Sequence, residues 1–148
     1  MALRTNASYG GAMDLADELI DDLVQVSFAV TAALSRVAAE HDLSLTQLRV
    51  LGILRDREPT MAELATHLGL ERSTVSGLID RAVQRGLARK TTHPGDARSV
   101  RVSLTTEARR LIPPIVADIG ALMEPLTGRL TASEQKRLIA LLDKALDH

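Results

Sequence analysis

The sequence predicts a mainly α-helical fold that carries one small β-hairpin. Three observations predict it. Apolar residues recur at helical spacing through most of the 148-residue chain,. Strict alternation of apolar and polar residues is confined to one stretch, Arg98 to Leu104,. Three hydroxyl residues stand three positions ahead of a Gln or Glu: Ser44 before Gln47, Thr60 before Glu63 and Thr131 before Glu134. That is the spacing of a capping box, in which two side chains reciprocally satisfy free backbone N–H groups at a helix start.

The first long helix is expected over Met13–Glu40. Leu15, Leu19, Leu23, Val26, Val30, Leu34 and Val37 fall on one face, and Ile20, Val24 and Phe28 widen it,. So broad a stripe suits either a central core helix or packing on a second chain. The segment is acidic. Asp14, Asp17, Glu18, Asp21, Asp22, Glu40 and Asp42 oppose Arg36 alone, a balance of −6 (1 − 7). Ser44 opens a second helix that buries Leu48, Val50, Leu51, Ile53 and Leu54 and stops before Pro59,. Thr60 opens a short helix, Met61–Leu68, which Gly69 closes,. The next helix runs from Glu71 to Arg85, with Val75, Leu78, Ile79, Ala82 and Val83 inward and Ser73, Ser76, Gly77, Asp80 and Gln84 outward. Two short helices joined at a glycine make a helix-turn-helix.

Leu87–Thr91 reads as a strand, Thr92–Ala97 as a turn, and Arg98–Leu104 as a second strand with Val100, Val102 and Leu104 on one face,. Together they form a hairpin, or wing. Thr105 or Thr106 caps a long helix containing Leu111, Ile115, Ile119 and Leu122; Pro113 and Pro114 inside it predict a kink,. Thr131 starts a final helix bearing Leu138, Leu141, Leu142 and Leu146.

Charge singles out the middle of the chain. Leu70–Arg101 holds Arg72, Arg81, Arg85, Arg89, Lys90, Arg98 and Arg101 against Glu71, Asp80 and Asp96, a balance of +4 (7 − 3) in a chain of net charge −1. A basic island in a near-neutral chain points to a polyanion. The only aromatics are Tyr9 and Phe28, so base-stacking platforms for single strands are not expected,. Without cysteine there are no disulfides, thiolate metal sites or thiol redox sensing,. His41, His67, His93 and His148 lack metal-ligand spacing, so neither a metal nor a cofactor is expected. No segment reads as a membrane span or a secretory signal, and Met1–Gly11 reads as a mobile tail,. No nucleophile–base constellation or phosphate-binding glycine loop suggests an enzyme. These features suit a cytoplasmic protein.

The order of elements resembles the MarR family of bacterial winged-helix transcription regulators. LSLTQLRVLGIL (Leu43–Leu54) is similar to the family's second helix, MAELATHLGLERSTVSGLIDRAVQRGLA (Met61–Ala88) to its helix-turn-helix, and GDARSVRVSLT (Gly95–Thr105) to its wing. Two departures stand out. Ala82 and Val83 occupy positions where the family often has a leucine and an acid, and Ala108 one where it often has glycine. The resemblance implies a winged helix-turn-helix at 43–104, a dimerisation helix at 12–42, and helices at 105–148 that complete the dimer, leaving 1–11 as the tail.

The resemblance, together with the chemistry of the residues, also implies a function. The protein should bind double-stranded DNA as a homodimer, and act as a repressor on a pseudo-palindromic operator. Arg72, Ser73, Thr74, Ser76 and Gly77 are the group suited to the major groove: small residues permit close approach, and Arg72 has the donors to bond guanine. Arg81 and Arg101 join them as DNA-binding candidates. Arg98 matches the arginine with which the family's wing probes the minor groove. Asp96 either supports the wing tip by holding Arg98, Arg81 or Arg85, or bonds its own backbone in the turn. Many family members release DNA on binding a small phenolic or anionic effector. Phe28, His41 and Arg49 lie on segments that could line its pocket, although core, loop and ion-pair roles suit them equally. A winged-helix interaction module without DNA binding is the alternative.

Overall fold

The computed structural model describes residues 14–93 and 95–147; for residues 93 and 96–98 it describes the backbone alone. The elements run α1 (Leu15–Glu40), α2 (Leu45–Leu54), α3 (Met61–Leu68), α4 (Arg72–Gln84), β1 (Ala88–His93), β2 (Asp96–Leu104), α5 (Thr106–Thr127) and α6 (Ala132–Leu146). The chain divides into two compact units at Ala32/Ala33, within α1. The expected tail, Met1–Gly11, lies outside the described residues.

In the larger unit the core is aliphatic. Val37, Leu54, Leu64, Val75, Ile79, Val102 and Leu104 are fully buried, so the end of α1, the helix-turn-helix and the hairpin share one interior. Burying each such side chain contributes about 1.5–3 kcal/mol. No buried side-chain N or O lacks a partner among the described residues.

The helix starts follow the local chemistry. Ser44 Oγ accepts from Gln47 N at 3.0 Å while Gln47 Oε1 accepts from Ser44 N at 3.0 Å. Thr60 and Glu63 repeat the arrangement at 3.2 Å in both directions. At α6 the reciprocal arm differs: Thr131 Oγ1 accepts from Glu134 N at 3.2 Å, but its own hydroxyl donates to Glu134 Oε1 at 3.0 Å. The carboxylate meets the hydroxyl rather than the backbone. Gly69 closes α3 at φ 64°, a left-handed conformation that costs glycine nothing,.

The hairpin is longer and its turn tighter than the alternation suggested. Ala88 pairs with Leu104 and Thr92 with Val100, and a bulge at Thr92/His93 shifts the register so that His93 faces Asp96. Polar turn-forming residues thus serve as strand ends, because cross-strand backbone bonds outweigh their local preference. The loop before α3 joins the hairpin edge: Val102 N donates to Pro59 O at 2.9 Å, and Thr60 bridges to Arg101.

Helix α5 runs unbroken through Pro113 and Pro114. Both prolines are exposed, so the carbonyls one turn earlier lose a helical donor on the side where water replaces it,. Val83, expected inward, is 39% exposed; at the last turn of α4 the helix is already leaving the core. The stripe along the first part of α1 is also exposed, with Leu15 at 79% and Phe28 at 71%. Phe28 is therefore not a core residue within the chain. Contrary to the sequence expectation, α1 is long and apolar enough, by length and composition alone, to cross a membrane, an 18-residue window of it having a mean hydropathy of 1.2. Its final turns are nevertheless packed into the protein core through Ala33, Val37 and Ala38.

Candidate nucleic-acid interface

The site is built around the exposed face of α4. Val75, Leu78, Ile79 and Ala82 anchor the helix in the core. Their spacing leaves Arg72, Ser73, Thr74 and Arg81 exposed, with Ser76 and Gly77 half-buried between them. Five of these six belong to the first half of the helix, so the accessible surface there is small, hydroxylic and cationic.

The start of α4 differs from those of α2, α3, α5 and α6. Those four helices have Ser44, Thr60, Thr105 and Thr131 as N-caps, each accepting a backbone N–H. The N-cap of α4 is Glu71, whose side chain makes no capping hydrogen bond. Among the described residues no side chain caps the first-turn N–H groups of α4, which lie at the positive end of the helix dipole,. Such an end favours a phosphate oxygen.

Two open hollows flank this half of the helix. One, of about 430 Å³, lies toward the wing and is lined by Met61, Arg72, Ser73, Ser76, Lys90 and Val100. The other, of about 440 Å³, lies toward the start of α2 and is lined by Ser44, Thr46, Gln47, Leu70, Thr74, Leu78 and Arg81. A helix flanked by open hollows can be laid in the major groove, which admits an α-helix,.

Contacts behind the helix hold it in place. Lys90 Nζ on β1 meets Asp80 Oδ1 on α4 at 2.5 Å, joining wing and helix. Both groups are partly exposed, so the pair stabilises by no more than about 1 kcal/mol and matters as an orienting contact. Lys90 was not among the expected site residues. Strand parity marks it: it pairs with buried Val102 and lies on the inward face with Ala88,. Arg85, at the end of α4, donates to the Asp42 carbonyl in the α1–α2 turn and to Gln47 Oε1 at 3.3 Å. It clamps that turn. Thr105 Oγ1 donates to Gly86 O at 2.6 Å, tying the end of the helix-turn-helix to the start of α5.

The other expected residues take varied places. Arg101 Nη1 donates to Glu58 O at 2.9 Å, so its guanidinium is partly engaged with the loop that joins the hairpin edge. The side chains of Asp96 and Arg98 lie outside the described atoms; their backbone forms the start of β2, next to Gly95 at φ 102°. His41 Nε2 lies 3.0 Å from Asp118 Oδ2 on α5. Arg49 Nη2 and Nη1 donate to His67 O at 3.0 Å and Leu68 O at 3.4 Å, capping the end of α3 instead of forming an ion pair. His41 and Arg49 are thus turned to different elements. Among the described residues no group of three or more His, Asp or Glu side chains suits a metal.

A helix-turn-helix whose second helix presents a small polar face, with a hairpin fixed at its side, defines a winged helix-turn-helix DNA-binding protein. Comparison with known proteins agrees. The MarR family model matches residues 41–99. The chain is 30% identical over 118 residues to the HTH-type transcriptional repressor NicR of Pseudomonas putida, covering 79% of this chain and 75% of NicR. It is 29% identical to the HTH-type transcriptional regulator PecS of Dickeya dadantii, covering 88% and 81%. A mutant of Escherichia coli MarR, solved in complex with operator DNA, superposes with a TM-score of 0.67 at 27% identity over 90% of this chain and 99% of that one. The chain belongs to the MarR family. It is a transcriptional regulator and not an enzyme.

Proposed function

We propose that the protein is a homodimeric repressor that binds a pseudo-palindromic operator, with α4 in the major groove and the wing in the neighbouring minor groove. The observation that carries this reading is the start of α4: an uncapped helix end followed by an exposed face of Arg72, Ser73, Thr74, Ser76 and Gly77. Free N–H groups and Arg72 would bind phosphate and fix the register, and the small side chains would let the helix approach the base edges. Arg98 would reach the minor groove, supported by Asp96. Arg101, partly engaged with Glu58, is assigned to the backbone at the wing's base. The NicR name, a repressor, supports the direction of control.

Dimerisation rests on exposed apolar surface. In the first unit, Leu15, Leu19, Ile20, Leu23 and Phe28 on α1 are more than half exposed. In the second, Ile139, Leu141 and Leu146 on α6 are too, and no residue of α6 is buried. Contiguous apolar surface of this kind is rare on a monomer and marks an interaction site. We assign 12–42 and 105–148 to dimerisation and 43–104 to DNA binding. Such a regulator acts in the cytoplasm, where the DNA is. Release by a small phenolic or anionic effector is part of the proposal, but His41 and Arg49 are engaged with protein partners and no residue is assigned to it.

Random-site selection on double-stranded DNA tests the proposal. A two-fold symmetric motif with half-sites about 10 base pairs apart is expected. Recovery of unselected sequence would overturn the reading and favour an interaction module.

A further inference from the structure

Gly77 sits in the middle of α4, where glycine weakens a helix relative to alanine,. Its backbone does not require glycine. Among the described residues the left-handed glycines are Gly69, Gly86 and Gly95, and Gly77 is not one of them. Among the described residues no other element lies within 4 Å of where its Cβ would stand. What lies beside it is Arg81, one turn later: Arg81 Nη1 is 3.5 Å from where a Cβ at position 77 would stand. The guanidinium folds back over the glycine, toward the start of the helix, the direction in which helical side chains lean.

This placement alters what Arg81 can reach. Residue 81 is in the second half of α4, and recognition helices address base edges mainly from their first half. One turn of helix is about 5.4 Å. Folding back across Gly77 brings the cationic group to the level of Thr74 and Leu78, with which it lines the hollow toward α2. Among the described residues no carboxylate pairs with Arg81, and the adjacent Asp80 points to a different side of the helix, where Lys90 meets it,. An exposed guanidinium laid over a gap in the groove-facing surface is a ready donor fork.

We infer that Gly77 and Arg81 act together as a specificity determinant, the glycine providing the space through which Arg81 reads a guanine in each half-site. Guanine presents O6 and N7 to the major groove, the acceptor pair that matches a guanidinium. A contact of this kind discriminates against other bases by roughly 5- to 150-fold. The inference rests on the proposed major-groove role of α4.

The test is random-site selection with the full chain in four forms: wild type, Arg81→Ala, Gly77→Leu and Gly77→Ala. The wild type should select a guanine at one fixed position per half-site. Arg81→Ala should lose that preference and keep the rest of the motif. Gly77→Leu should lose it as well, because the larger side chain occupies the space of the guanidinium. Gly77→Ala should weaken the preference less than Gly77→Leu, since 3.5 Å is an ordinary contact distance for a methyl group, and should melt at a higher temperature. Neither position belongs to the buried core, so circular dichroism should show all variants folded. Persistence of the guanine in Arg81→Ala or Gly77→Leu would overturn the inference while leaving the proposed function standing. So would a loss of affinity in Arg81→Ala that is equal for all sequences and lowers the salt slope by about one, the mark of a phosphate contact. A wild type that selects no motif would overturn both.

Discussion

On the proposed reading, single residues in this protein divide into those that meet DNA and those that hold them. Thr60 illustrates the second kind. Its hydroxyl accepts from Glu63 N, and its backbone N–H donates to Glu63 Oε2. Replacing it with alanine should cost about 1 kcal/mol, read as a lowered midpoint in chemical denaturation. Leu64, fully buried in the same helix, should be harsher: Leu64→Ala is expected to cost about 2–5 kcal/mol through the cavity it leaves. Arg98 is proposed as one of the first kind. Arg98→Ala should weaken operator binding and reduce the slope of log affinity against log salt by about one. Electrophoretic shifts across several salt concentrations would show it, and an unchanged affinity would exclude the wing from DNA binding. The roles of Arg85 and Arg49 were not legible in the sequence. Each is an arginine that donates to backbone carbonyls of another element, and a carbonyl carries no side-chain signal that pattern or spacing reveals.

At the scale of elements, legibility follows how local the determining interaction is. The starts of α2 and α3 were readable because a capping box lies within four residues. The end of α3 was readable because only glycine takes a left-handed cap without strain. The hairpin turn was read too long, since cross-strand pairing of Thr92 and His93 is set by β2 and not by their own turn preference. One long helix through Pro113 and Pro114 was expected and α5 is one helix, with both prolines facing water. The small polar face of α4 was readable from the spacing of Val75, Leu78 and Ile79. Its lack of a capping bond and its tie to Lys90 were not, because both depend on three-dimensional placement. Thr105 joins two elements at once, accepting from Ala108 N at 3.1 Å and donating to Gly86 O at 2.6 Å. Thr105→Ala should therefore lower the melting temperature more than a cap-only substitution such as Thr131→Ala, a comparison made by calorimetry on both variants.

For the whole molecule, charge and apolar surface are separated along the chain. The segment Asp14–Asp42 carries −6 (1 − 7) and Leu70–Arg101 carries +4 (7 − 3). That separation steers a polyanion to the second segment and away from the first. Long apolar stripes on α1 and α6 stay exposed in the single chain. On the proposed reading they are covered by a second copy, and two DNA-binding modules are thereby linked. Charges placed on the stripe, as in Leu141→Asp with Leu142→Asp, should yield a monomer by sedimentation velocity. The same variant should lose operator affinity by on the order of 10²-fold or more, since linkage of two modules raises avidity by about that factor.

Sequence-specific binding of two chains to one duplex is the property on which the proposed function depends. It is tested most directly by a fluorescence-anisotropy titration of a selected operator and a scrambled duplex of equal length, at one fixed salt concentration. Saturation at two chains per operator is expected, with an affinity at least about 10³-fold tighter than for the scrambled duplex. Equal affinity for the two duplexes would contradict it.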